Sequence, residues 1–324
     1  MAGPFRRGLL LFAAWLAVVA AGGPARAQDL PRLRAASLTL PVLNPIVVNI
    51  MKARGFDRKH GFELDVKTSP SISAFYASLA TGEVDTLIGG PTVLQKLRLE
   101  GVPVKIIGTG LKLSDLVIFA KEPGIESLAD LRGKQLAADM GSQQFQTVAI
   151  YARSKGLTLG TDITVINANF ALARSQLAAD RVEAAMVIEP IATMMLKENP
   201  RLRIIYGGGE AWKELTGHDG WELVTAMREE AIKRVPDGPK RLLAALQDVA
   251  AFIQAEPDAA DRIAAETVKL PAGVLKTAVA SGRWQLDFVP ASGPERAVIW
   301  DMFERAVAAG FLPKLPDEGI IHAP

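Results

Sequence analysis

The chain has 324 residues, with 37 lysines and arginines against 35 aspartates and glutamates, three histidines and no cysteine. The missing cysteine excludes disulfide staples, thiolate metal sites and a cysteine nucleophile. The near-balance of charge offers no basic face for nucleic acid or an anionic membrane.

At the N-terminus Arg6 and Arg7 precede an apolar run from Leu9 to Ala21, which gives way to small residues ending Ala25-Arg26-Ala27. A basic start, an apolar middle of this length and an A-x-A site predict a secretory leader over 1–27. The run falls short of the roughly 20 apolar residues that a membrane span requires. Phe5 before the arginine pair and Gly8-Leu9-Leu10 after it favour the general secretory route over the twin-arginine one. The expected mature chain is Gln28 to Pro324. Three of the 37 basic residues leave with the leader, so 34 remain against 35 acidic ones, a formal net charge of −1. With no cysteine to carry a lipid, the mature protein is expected to be free in the periplasm, without a membrane anchor and as a monomer.

Short strand patterns then alternate with helical ones. Strands are expected at 34–40, 62–68, 86–88 and 104–108, with helices at 45–54, from the Ser69-Pro70-Ser71 loop to about 81, and to 99. A second series has strands at 116–120, 135–139, 164–167, 184–188 and 203–206, with helices up to about 155 and at 171–179. Strand, loop and helix repeated in this way predict parallel α/β architecture. After Ala211 only 222–227 reads as a strand; helices are expected at 229–234, 239–255, 257–267, 273–280 and 295–309. Two series without a flexible linker predict two lobes. Lobe I would comprise 28–116 plus 208–324 and lobe II 117–207, with crossings near 112–121 and 204–210 and the late strand returning to the first sheet.

Ligands of open α/β sheets bind beyond the carboxyl ends of the strands. The candidate site residues follow from that rule: Leu43 and Asn44, Ser69 and Ser71, Gly90, Pro91 and Thr92, Gly141, Ser142, Gln143 and Gln144, Asn167 and Asn169, and Glu189. Ser114 in the first crossing joins them. These loops carry no arginine or lysine, so an anion would be held by helix N-terminal amides and neutral side chains. Asn44, Ser69, Ser71 and Ser142 are equally well explained as caps or turn residues, and Gly89-Gly90-Pro91 as a tight turn into a helix. Glu189 either accepts from a ligand N–H, pairs with an arginine across the cleft or faces solvent. Trp212 and Trp221, in a glycine-rich segment after the second crossing, are candidates for stacking on an aromatic ligand or for the core.

These residues also carry a resemblance. The segments Ala53-Arg54-Gly55-Phe56, His60-Gly61-Phe62-Glu63-Leu64, Leu79-Ala80-Thr81-Gly82-Glu83-Val84-Asp85, Gly141-Ser142, Val187-Ile188-Glu189-Pro190 and Ala309-Gly310-Phe311-Leu312-Pro313 occur in order along nearly the whole mature chain. In them the chain resembles the SsuA/THI5-like substrate-binding proteins, the sulfonate, taurine and thiamine-pyrimidine-precursor family. The resemblance implies a type II periplasmic binding fold, two lobes joined by a double crossover with the ligand cleft between. It also implies a receptor that closes on a small molecule and delivers it to an ABC permease in the inner membrane. The first expectation for the ligand is a small organic anion, a sulfonate or carboxylate, possibly aromatic. The alternatives are a larger heterocycle of pyrimidine, flavin or quinone type, or a sensing role beside a signalling kinase. The bulky polar run Gln143-Gln144-Phe145 and the apolar loop Leu40–Asn44 point toward the larger class.

An enzyme is not expected. His60, His218 and His322 stand in no triad-like or zinc-ligand context. Relatives that make the thiamine pyrimidine use a cysteine-rich segment, which this chain lacks. No cofactor or metal is expected.

Overall fold

The computed structural model describes residues 30–323. The expected leader, 1–27, lies outside the described residues. Lobe I opens with β1 (Arg32–Leu38), α1 (Leu43–Arg54), the short α2 (Phe56–Lys59), β2 (Glu63–Ser69), α3 (Ile72–Thr81), β3 (Thr86–Gly89), α4 (Pro91–Leu99) and β4 (Val104–Lys112). A single 3-10 turn, Leu113–Asp115, carries the chain into β5 (Leu116–Ala120). Lobe II continues with β6 (Gln135–Ala138), α5 (Gln143–Ser154), β7 (Thr164–Asn167), α6 (Phe170–Ala178), β8 (Ala184–Ile188), α7 (Ile191–Glu198) and β9 (Arg203–Gly207). The return passes through α8 (Gly208–Thr216) to β10 (Trp221–Arg228). The chain then finishes with α9 (Glu229–Arg234), α10 (Gly238–Ala255), α11 (Pro257–Val268), α12 (Val274–Ala280) and α13 (Pro294–Ala308).

Two five-stranded sheets result, with strand orders β2-β1-β3-β10-β4 and β7-β6-β8-β5-β9. β1 runs parallel to β2 and β3, while the late strand β10 lies antiparallel between β3 and β4. In the second sheet β6 is parallel to β7 and β8, and β5 is antiparallel to β8 and β9. Each sheet is therefore mixed, because the strand that enters it by a crossing arrives from the far side. The sheets are fully covered, as parallel α/β layers require: Leu33, Ile46, Ile50 and Phe62 are buried in one lobe, and Phe119, Leu136, Met186 and Val187 in the other. α10 and α11 pack on α1, and α13 touches both α4 of lobe I and α5 of lobe II. Among the described residues no helix is long and apolar enough to cross a membrane.

The expected elements appear within a few residues, with three additions and one correction. The additions are α2, α7 and α8. α8 starts on Gly208-Gly209, a pair that reads in sequence as a loop. A Cβ on Gly208 would sit 2.6 Å from the Leu113 carbonyl oxygen and 3.0 Å from Leu116 Cβ. Glycine is thus required for the helix to lie against the first crossing, and packing overrides its poor helix propensity. The correction concerns Asn44, expected as the cap of a helix starting at Pro45. α1 instead starts at Leu43 with Val42 at its cap position and no side-chain cap. The Asn44 amide donates to the Ile88 carbonyl at 3.0 Å, tying the start of α1 to the end of β3.

Candidate ligand-binding site

Between the lobes, at the carboxyl ends of β1, β3 and β8, lies a cavity of about 50 Å³. Lobe I contributes Leu38, Leu40, Val42, Leu43, Asn44, Ile72, Phe75, Tyr76, Ile88, Leu111 and Leu223. Lobe II contributes Ser142, Gln143, Gln144, Phe170, Ile188 and Glu189, and Asp115 stands at the first crossing. A water needs about 10–15 Å³ by this kind of measure, so the cavity seats only a few water-sized groups.

The lobes meet through a small set of polar contacts. Gln143, in the first turn of α5, reaches across to α4, where its Oε1 accepts the Thr92 backbone N–H at 3.1 Å and also meets the Thr92 hydroxyl. That hydroxyl lies 2.7 Å from Gln146 Oε1. Gly90 makes the approach possible, since a Cβ there would fall 2.6 Å from Gln143 Cβ. Gln144 Nε2 donates to Glu222 Oε1 on β10. Near the hinge, Arg283, in the loop after α12, donates from Nε to Glu189 Oε1 at 2.6 Å. The fully buried Glu189 also accepts the Thr193 N–H and hydroxyl, each at 3.0 Å. Of the three readings open for Glu189, the arginine across the cleft is the one observed, and its carboxylate still lines the cavity.

Some of the helix N-terminal amides expected to be free are taken up from within the protein. The Gly90 N–H donates to Tyr76 Oη at 2.7 Å, and Thr92 N–H is taken by Gln143. Ser142 caps α5 by accepting the Phe145 N–H at 3.1 Å, while its hydroxyl donates to the Asp139 carbonyl at 2.7 Å. At α7 the Thr193 N–H goes to Glu189. No arginine or lysine lines the cavity.

The remaining polar groups are acidic. Asp115 is fully buried and neither of its carboxyl oxygens has a hydrogen-bond partner; Glu222 is fully buried with Oε2 unpartnered. Burial pushes the Asp115 carboxyl well above the usual carboxylate range, and the neighbouring Glu222 and Glu189 act in the same direction. Burial raises Glu222 from 4.5 to about 8. Burial likewise raises the Tyr76 hydroxyl above its ordinary value, although its bond with Gly90 opposes this.

Six of the sequence-derived candidates thus line the cavity: Leu43, Asn44, Ser142, Gln143, Gln144 and Glu189. Gly90, Pro91 and Thr92 stand at the start of α4, where Gln143 meets Gly90 and Thr92. The others are placed elsewhere. Ser69 is buried at the end of β2, its carbonyl accepting the Thr39 N–H. Ser71 and Asn169 are exposed caps of α3 and α6, bonded to the N–H groups of Ala74 and Leu172. Asn167 accepts from the Met140 N–H, and exposed Gly141 donates to Asp139. Ser114 donates to the Arg283 carbonyl. Trp212 is 1% exposed, within α8 rather than in a loop, with the Arg305 guanidinium 5.8 Å from its ring centroid. Trp221 is buried at the start of β10 and donates from Nε1 to Glu295 at 2.7 Å. Neither indole reaches the cavity wall. Asp115, Glu222 and Tyr76 were missed. The available signal was a carboxylate set beside an otherwise apolar strand, in Asp115-Leu116-Val117-Ile118 and Trp221-Glu222-Leu223-Val224.

Comparison with known proteins agrees with this architecture. The family model described as NMT1/THI5 like matches residues 44–260, well over half of the chain. The chain belongs to the NMT1/THI5-like family. Proteins of Brucella abortus and Brucella suis, named as binding proteins, are each 22% identical over 237 residues, covering 73% of this chain and 72% of the relative. In fold, this NMT1/THI5-like protein is similar to the periplasmic aliphatic sulphonate binding protein SsuA of Escherichia coli. The TM-score is 0.76 at 18% identity, over 90% of this chain and 92% of that one. It is also similar to the alkanesulfonate-binding protein SsuA of Xanthomonas axonopodis bound to MOPS (0.75, 17%, 91% and 99%). The periplasmic nitrate-binding protein NrtA of Synechocystis aligns at 0.69 and 16% identity, over 88% of this chain and 83% of that one. These likenesses establish the shared two-lobed periplasmic binding fold.

Proposed function

We propose that this protein is the periplasmic receptor of an ABC importer, capturing a small organic molecule between its lobes and performing no chemistry on it. The observation that carries this reading is the apolar cavity at the strand ends. It is sealed by side-chain contacts, Gln143 to Thr92, Gln144 to Glu222 and Arg283 to Glu189, that break if the lobes rotate apart about the two crossings. Hinge closure around a ligand is the motion such a geometry permits. A membrane permease would read the closed outline. The family membership, and fold relatives described as periplasmic binding proteins, support the same reading.

Between the two ligand classes expected from the sequence, the cavity favours the organic ring over the small anion. Its wall carries no cation, an amide at the start of each of α4, α5 and α7 is engaged within the protein, and aliphatic and aromatic carbon dominates. A ligand with an apolar face gains from that wall by burial.

The test is thermal unfolding of residues 28–324 against sulfonates, carboxylates, pyrimidines, flavins and quinones. A ligand that binds only the folded state stabilises it by about 2.7 kcal/mol at a hundredfold excess over its dissociation constant. A saturable rise with an organic ring compound supports the receptor reading and its ligand class. Stabilisation by small sulfonates alone would overturn the ligand class, and silence from the whole panel would count against the receptor.

A further inference from the structure

We infer that Asp115 is the recognition group of the cleft and that the captured molecule presents an N–H-rich edge to it: an amine, an amidine or an amino-substituted ring. The inference rests on the receptor reading and deepens it by fixing the polarity of the ligand.

A buried polar group is almost always hydrogen-bonded, and an exception calls for a reason. Asp115 is such an exception twice over, because it lines the cavity with no exposure and both oxygens unpartnered. The neighbouring donors do not serve it. Arg283 is held by Glu189, and the Gln144 amide donates to Glu222. The Tyr76 hydroxyl, on the same cavity, accepts from Gly90, and its own proton makes no bond to Asp115. The side chains around the cavity thus leave Asp115 without a donor, and the free space lies against it. Its backbone is fixed: it ends the turn of the first crossing, and its carbonyl accepts the Glu189 N–H at 3.1 Å. A ligand N–H reaching this point satisfies a group whose isolation is otherwise costly. An anion in the same place is opposed by Glu189, and by Asp115 and Glu222 once they ionise, with only Arg283 to offset them.

The charge balance gives the inference a second signature. The groups around Asp115 are Glu222 on β10, Glu189 at the end of β8 with its Arg283 partner, and Tyr76 on α3; Tyr206 on β9 also senses Glu222. Burial holds the Asp115 and Glu222 carboxyls protonated beyond the usual range. A cationic ligand therefore displaces a proton on binding, and its affinity rises with pH until those carboxyls have ionised.

The experiment is isothermal titration of residues 28–324 with benzamidine and benzylamine, and with benzoate and benzenesulfonate as ring-matched anions, at pH 6 and pH 8.5. Benzamidine should bind at least tenfold more tightly than either anion and more tightly at the higher pH. Proton release should appear as a heat that depends on the buffer. Asp115→Asn should weaken benzamidine at least tenfold without lowering the unfolding temperature of the unliganded protein. Should that variant fold poorly, Glu222→Gln is the second probe, with a smaller loss in the same direction. Tighter binding of the anions, unchanged benzamidine binding in both variants, or silence from both amine probes overturns the inference. Anion binding on its own leaves the receptor reading standing. That reading falls only if the wider thermal panel is silent as well.

Discussion

Glu189 and Asp115 are both fully buried, both line the same cavity, and their backbones are hydrogen-bonded to each other. Yet one carboxylate accepts from Arg283 and twice from Thr193, while the other accepts from nothing. The difference separates two uses of a buried charge. Glu189, satisfied from across the cleft, works as a latch that favours the closed arrangement of the lobes. Asp115, left open at the hinge, is complete only when something else enters. A sequence pattern sees an acid at a strand end in one case and an acid in a crossing in the other. Only the partners tell them apart.

The largest way to break this contrast is to unpair the latch. Arg283→Ala leaves Glu189 buried and uncompensated, and losing one partner of a buried ion pair costs about 3–5 kcal/mol. Thermal unfolding should show that loss, and Glu189→Gln in the same chain should restore part of it. If the double variant loses the sum of what the two single variants lose, the pair is not coupled.

Crowding the closed interface is next. Gly90→Ala places a methyl 2.6 Å from Gln143 Cβ. Overpacking of this kind costs about 1–3 kcal/mol, but here the lobes escape it by staying apart. Ligand affinity should drop about ten- to hundredfold while the unfolding temperature of the unliganded protein hardly moves. A matching loss of stability would mean that the unliganded lobes do not part.

The acidic pair gives a third, smaller effect. Glu222 has its pKa raised from 4.5 to about 8 in the folded protein, so between those values the folded state holds more protons than the unfolded one. Stability then falls as pH rises through that window and levels off above it. Unfolding temperatures from pH 5 to pH 9 should decline in the native chain and decline less in Glu222→Gln.

The smallest effect serves as the control. Ser71 is an exposed cap at the end of a sheet-edge loop. Its replacement by alanine should cost about 1 kcal/mol of stability and leave ligand affinity unchanged. A selective loss of affinity would return Ser71 to the site.

How much of this was legible in the sequence follows from what each feature depends on. Periodicity and turn residues gave the α/β alternation, and the late strand at 222–227 was readable as a return to the first sheet, where β10 now lies. Gln143, Gln144 and Glu189 were readable as strand-end residues because that rule is topological. The loops gave too many candidates, since a serine or asparagine that caps a helix looks the same as one that binds; Ser71 and Asn169 do the first. Trp212 looked available because a glycine-rich run, Gly207-Gly208-Gly209, preceded it, whereas Gly208 and Gly209 let α8 press against the first crossing. Asp115 and Glu222 escaped because their meaning is a missing partner, and a missing partner appears only once every neighbouring donor has been traced.

The central claim is that the lobes close over a ligand in this cavity, and the cysteine-free chain allows it to be tested cleanly. Exposed Ser73 and Ala171 sit beside Ile72 and Phe170, which line the cavity from opposite lobes. Dyes at Ser73→Cys and Ala171→Cys therefore report the width of the cleft mouth by single-molecule energy transfer. The account predicts two distances in the unliganded protein, with any compound that raises the unfolding temperature shifting the population to the shorter one. A single distance, unmoved by a compound that binds and stabilises the protein, would contradict it.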